Sequence, residues 1–177
     1  MTRPTRYGNK NVKISFQPNI GLDASTRQSV VEMLNLLLKN EAVLSLKTKR
    51  AGTHTGEVDK SELQSLYEEQ YQQIQTISNE IKERIEILGG SQLNGSETLF
   101  DTDCVDENLT GPSDIINILA DHEAFIRFLR DETRKSSELY EDQGTYAMLI
   151  SILCAHEKMA WTLRTQISQE AIQGNKL

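Results

Sequence analysis

Residues Lys47–Gly90 read KTKRAGTHTGEVDKSELQSLYEEQYQQIQTISNEIKERIEILGG, and their apolar spacing decides the architecture. Leu63, Leu66, Tyr67, Tyr71, Ile74, Ile77, Ile81, Ile85 and Leu88 recur at three- and four-residue steps, the stripe of one long amphipathic helix. The spacing predicts that helix from about Lys60 to Leu88. Asp59 or Ser61 offers an N-cap, and Gly89 suits the left-handed stop after the last turn.

Three more segments of the same kind surround it. A first helix is predicted from about Ala24 to Lys49 behind an Asp23 cap, with Val30, Val31, Met33, Leu34, Leu37, Leu38, Leu44 and Leu46 as its stripe. A third runs from about Pro112 to Leu139 and a fourth from about Gly144 to Ala171. Each spans roughly 25–29 residues, or about 40 Å at 1.5 Å per residue. Four helices of matched length pack most naturally as an antiparallel four-helix bundle, so the chain reads as all-α. The connection between the second and third helices is about 22 residues, and loops of that length usually hold structure or a crossover. Within it, SETLFDTDC (Ser96–Cys104) has the make-up of a short extra helix, and a crossover would leave helices two and three parallel.

The 177 residues suit one domain with a substantial core. No apolar run approaches the roughly 18 residues that span a bilayer, and the polar N-terminus lacks a signal-peptide core, so a cytoplasmic protein with no membrane partner is expected. Cys104 and Cys154 have no CxxC partner and read as buried spectators. Net charge is −7, yet Arg3, Arg6, Lys10 and Lys13 stand among the first 22 residues with no acid, so the remainder carries −11. The division expected is a basic, flexible arm over 1–22, a bundle over 23–172 and a short tail over 173–177.

The frame of the opening stretch, with KT at Lys47–Thr48, EEQY at Glu68–Tyr71, ERI at Glu83–Ile85 and LGG at Leu88–Gly90, resembles the Dps family of miniferritins (DNA-binding proteins from starved cells). The resemblance extends through NIGL (Asn19–Leu22), LNLLLKNEAVLSLKT (Leu34–Thr48), LADHEAFIRFLRDE (Leu119–Glu132) and DQGTYAMLISILCAHEKMAWTLR (Asp142–Arg164). It implies a ferritin-like bundle with a short helix in the long crossover. It also implies a homo-oligomeric shell of twelve copies that oxidises Fe(II), with hydrogen peroxide or oxygen, and stores Fe(III) mineral. The nucleoid is then a further place to find it, since some members bind DNA.

The resemblance also implies an iron-oxidising site between two subunits, with two histidines from one chain and an aspartate and a glutamate from its partner. Aligned without a gap, those positions hold Gly52, Gln64, Asn79 and Glu83. Glycine offers no ligand, the two amides offer neutral carbonyl oxygens, and Glu83 alone keeps a charge. Iron should therefore bind weakly, since imidazole and carboxylate are what suit it and anionic ligands steady Fe(III). A substitute built from His54 and Glu62 is an alternative, against a solvated turn histidine. No ExxH pair exists: the residues three before His54, His122 and His156 are Ala51, Leu119 and Leu153, so His122 and His156 read as interhelix or surface histidines. Trp161 and Met159 read as packing residues.

By the same resemblance, Glu138, Glu141 and Asp142 would ring an acidic threefold pore, shortened because a further aspartate is replaced near Ala147. The alternative is a plain polar turn between helices. Arg3, Arg6, Lys10 and Lys13 would give nonspecific, salt-sensitive contacts to DNA phosphates, multiplied by avidity in a shell. A solvated arm that packs on a neighbour is the other reading.

Overall fold

The computed structural model describes residues 17–54, 61–91 and 115–174. They form four helices: α1 (Ala24–His54), α2 (Ser61–Ile87), α3 (Ile115–Glu138) and α4 (Gln143–Gly174). The arm with Arg3, Arg6, Lys10 and Lys13, the turn with Asp59, the expected short helix at Ser96–Cys104 and the last three residues lie outside the described residues.

Side-chain contacts fix the topology. Gln75 Nε2 donates to Ser45 Oγ at 2.6 Å, and Asn35 Nδ2 donates to Ser91 O at 3.3 Å, so α1 and α2 are antiparallel. Gln70 Nε2 donates to Met159 O and Arg84 to Asp142, so α2 and α4 are antiparallel too. Glu123 meets Arg164 and, further along α3, Arg130 meets Glu157, which makes α3 antiparallel to α4. It follows that α2 and α3 run parallel, so the end of α2 and the start of α3 lie at opposite ends of the bundle. α1 packs along α2 and α3 along α4; α1 also touches α3, and α2 touches α4, which puts α1 and α4 at opposite corners.

The local signals explain the helix ends. Asp23 caps α1: its Oδ1 accepts from the Thr26 N–H at 2.8 Å and from Ser25 Oγ at 2.7 Å. The Thr26 backbone N–H, then the Ser25 and Thr26 hydroxyls, hold its carboxyl at about 2. Gly89 closes α2 with φ +79°, the Gly89 N–H bonding Glu86 O and the Gly90 N–H bonding Ile85 O, a Schellman stop. α1 runs five residues past the expected Lys49, because Gly52 is taken into the helix rather than ending it. A Cβ there would lie 3.4 Å from that of Tyr67, an ordinary contact.

Two apolar clusters fill the interior. The larger includes Leu34, Leu37, Leu44, Ile74, Ile81, Ile85, Phe125, Leu129, Leu149 and Ile152; the smaller holds Ala51, Tyr67, Ile118 and Leu163. Each such aliphatic side chain contributes roughly 1.5–3 kcal/mol by leaving water. Between the clusters every helix turns a polar group inward: Lys47 and Thr48, Gln70, Asp121 and His122, and His156. Two expectations fail on α4. Met159 is buried, but Trp161 is 60% exposed, because two residues past Met159 is the opposite face of a helix. Cys154 is exposed as well, two residues before buried His156.

Gly21 and Gly89 both have positive φ, but only Gly89 is crowded: a Cβ would come within 2.5 Å of Pro18 Cδ. Gly21→Ala should therefore cost about 1–2 kcal/mol from backbone strain alone. Gly89→Ala should cost about 2–4 kcal/mol, since overpacking is added. Urea unfolding of the two variants checks the order.

Candidate functional site

The end of α1 and the start of α2 enclose a pocket of about 450 Å³, lined in part by Lys49, Gly52, Gln64, Tyr67 and Glu68. Gly52 and Gln64 are thus brought to one place, as their alignment requires. The chemistry there is mixed: an amide, hydroxyls of Thr48, Thr53 and Ser65, the Lys49 ammonium, which lies 5.1 Å from the Tyr71 ring centre, and one carboxylate. An ammonium beside the pocket repels a metal cation. Glu68 is the carboxylate in its lining.

Asn79 and Glu83 share one exposed face of α2, at i, i+4 spacing. They do not reach the pocket within one chain. Gln64 and Asn79 are separated along a single helix by about 22 Å at 1.5 Å per residue, and Glu83 lies farther still. Only a second copy could bring the two halves together. His54 ends α1 with its side chain outside the described residues, and Glu62 is exposed. Among the described residues, no group of three His, Cys, Asp or Glu side chains is placed to hold a metal ion.

A second concentration of titratable groups lies inside the bundle. Glu41, His122 and His156 have no exposure at all. His156 Nε2 is 2.9 Å from Glu41 Oε1, and His156 Nδ1 is 3.0 Å from His122 Nδ1. Burial, and after it the neighbouring His156, hold the His122 ring well below the usual imidazole range. Both histidines are interhelix residues, and the apolar residues around them signal this: Ile118, Phe125 and Leu129 flank His122, and Ile152, Met159 and Leu163 flank His156.

Comparison with known proteins settles the family. The family model described as a ferritin-like domain matches residues 31–171. The chain belongs to the ferritin-like family. It is 32% identical to a low temperature-induced protein of Nostoc sp. over 89% of this chain and 90% of that one. It is 28% identical to a nutrient stress-induced DNA-binding protein of Nostoc sp., over 85% of this chain and 84% of the relative. Its fold is that of the Dps proteins. The DPS protein of Vibrio cholerae O1 superposes with a TM-score of 0.77 at 24% identity, covering 88% of this chain and 99% of that one. DpsC from Streptomyces coelicolor gives 0.79 at 22% identity, covering 86% and 91%.

In this ferritin-like chain the three acids at the α3–α4 junction, Glu138, Glu141 and Asp142, have unequal surroundings. Asp142 is buried as the N-cap of α4, a role its reading as a pore acid had overlooked. Its Oδ1 accepts from the Thr145 N–H at 3.0 Å and its Oδ2 from the Thr145 hydroxyl at 2.5 Å. Arg84 Nη2 donates to both oxygens, at 2.7 and 3.0 Å, and Arg84 Nε to Thr145 Oγ1. Desolvation pushes the Asp142 carboxyl up, but the Thr145 bonds and Arg84 outweigh it and leave it lowered. Glu138 and Glu141 are exposed, the latter holding the turn with φ +51°.

A lowered carboxyl contributes stability that is complete above the ordinary value of 3.8 and is lost as pH falls through the folded value. Asp142→Asn should therefore unfold with a flatter pH dependence below about pH 4. Arg84→Met, which leaves Asp142 buried without its cation, should cost about 3–5 kcal/mol at neutral pH. Denaturant unfolding between pH 2.5 and 7 tests both.

Proposed function

We propose that this protein is a Dps-like shell subunit that sequesters iron and limits peroxide damage, with an inter-subunit oxidation site too depleted to catalyse rapidly by itself. The observation that carries the reading is the pocket at Gly52 and Gln64, which at those two positions offers no side chain and a neutral amide where two imidazoles would serve. Across a two-fold contact, Asn79 and Glu83 of a second copy would complete it with one carboxylate instead of two. At the four aligned positions, one anion and no imidazole is a poor donor set for iron passing from Fe(II) to Fe(III). The assembly in view is a homo-oligomer of twelve copies. Glu138 and Glu141 are the exposed acids left to draw Fe(II) inward through a threefold pore.

In a complete site two Fe(II) each give one electron to one hydrogen peroxide, which takes two protons and leaves as two waters, so no hydroxyl radical is released. Here iron is cargo, delivered as Fe(III) or oxidised by active subunits mixed into the same shell. DNA contact is a second role. It is favoured by Arg3, Arg6, Lys10 and Lys13 in an arm without acids, and by a relative that is itself a DNA-binding protein. Four charges per copy give weak, salt-dependent binding that a shell would multiply.

The size-fractionated oligomer should oxidise Fe(II) at a rate near the protein-free background, with peroxide and with oxygen. Gly52→His, Gln64→His and Asn79→Asp combined should raise that rate by at least tenfold, since the pocket has room beside Gly52. Fast oxidation by the wild type would contradict the reading. An assembled but inert triple variant would show that these are not the site positions.

A further inference from the structure

We propose that Glu41, His156 and His122 form a proton-sensitive latch that holds the two helical hairpins of the bundle together, and that mild acid releases it. The chain of bonds is linear. Glu41 on α1 meets His156 on α4, at the opposite corner of the bundle, and His156 meets His122 on α3. It thus crosses the seam between the α1–α2 hairpin and the α3–α4 hairpin at its centre. Other ties across that seam are Lys47–Asp121, Gln70 to Met159 O, and Arg84 with Asp142 and Thr145.

The tautomers follow from the partners. Glu41 Oε1 accepts from the His156 Nε2–H, so a neutral His156 ring has a bare Nδ1, which accepts from the His122 Nδ1–H. His122 Nε2 is then a bare lone pair. It is buried and has no protein partner, and neither has Glu41 Oε2 at the far end. A proton taken up by His122 would sit on that Nε2. It would create a buried cation and a donor with nothing to accept it, two costs of the kind that unfold marginal proteins. The three side chains meet pairwise, Glu41 with His156 and His156 with His122, which suits a proton better than a metal ion; no metal-holding group occurs among the described residues.

The neighbours do not relieve the charge. In the layer around His122, α1 places Glu41 and Lys47, α3 places Asp121, and α4 places His156; α2 contributes Gln70 and, one turn earlier, the Tyr67 phenol. Lys47 and Asp121 neutralise each other at 2.7 Å. Glu41 is reached only through the intervening His156 ring. Since the folded state keeps His122 neutral and the unfolded chain does not, the stabilisation is complete above about pH 6.5 and lost as pH falls below it.

The test is urea unfolding of the assembled protein at fixed concentration and salt from pH 8 to 5, read by the fluorescence of its single tryptophan, Trp161. For the wild type the folded-to-unfolded ratio should fall below pH 6.5 by up to about tenfold per pH unit for one proton. His122→Gln keeps an N–H donor but cannot charge, and its ratio should fall less steeply by that one proton. Parallel curves for the two proteins would overturn the proposal. If the variant fails to fold, the ring signals of the three histidines in the wild type decide. His122 should stay neutral as long as the protein is folded; charging near its ordinary value in the folded protein would overturn the latch.

Discussion

Lys47 and Asp121 are held 2.7 Å apart with almost no exposure, and a charge pair in that position permits one register between α1 and α3. Neither charge tolerates loss of the other, because a lone buried ion costs several kcal/mol. His122 follows Asp121 directly, so the same register brings it to His156 and, through it, to Glu41. The polar layer thereby aligns the two hairpins, and the apolar clusters on either side fill the space it defines. Apolar packing supplies most of the stabilisation, but it would accept sliding by a turn. Paired charges do not.

A second register, of α1 against α2 through Gln75 and Ser45, governs the candidate site. Fixing α1 against α2 brings Gly52 beside Gln64 and opens the pocket between them. It also keeps Asn79 and Glu83 near the other end of α2, on an exposed face. The distance along that helix keeps the two pairs of residues apart within one chain. Substitutions at these four positions leave the subunit's own core untouched, because none of them lies in either core cluster.

Much of this was legible in the residues. The three- and four-residue stripes locate all four helices, Asp23 announces the start of α1, and Gly89 announces the stop of α2. The parallel run of α2 and α3 follows from the length of the connection between them. Other features depend on partners distant in sequence. Asp142 reads as a loop acid until Arg84, 58 residues away, is seen bonded to it. Gly52 reads as a turn, since nothing local shows that a helix continues through it against Tyr67. His122 and His156 sit squarely on apolar stripes, which marks them as interior, but their link to Glu41 spans 115 residues. Trp161 and Met159 read as sharing a core-like spacing, but two residues apart on one helix they face opposite sides and only Met159 is buried.

The central claim is that the inter-subunit positions no longer make an iron site. Anaerobic titration of the assembled protein with Fe(II), followed by calorimetry for the wild type and for Glu83→Gln, tests it most directly. The account predicts weak binding with no saturable site at these positions, and little difference between the two proteins. Tight, saturable binding in the wild type that Glu83→Gln abolishes would contradict it.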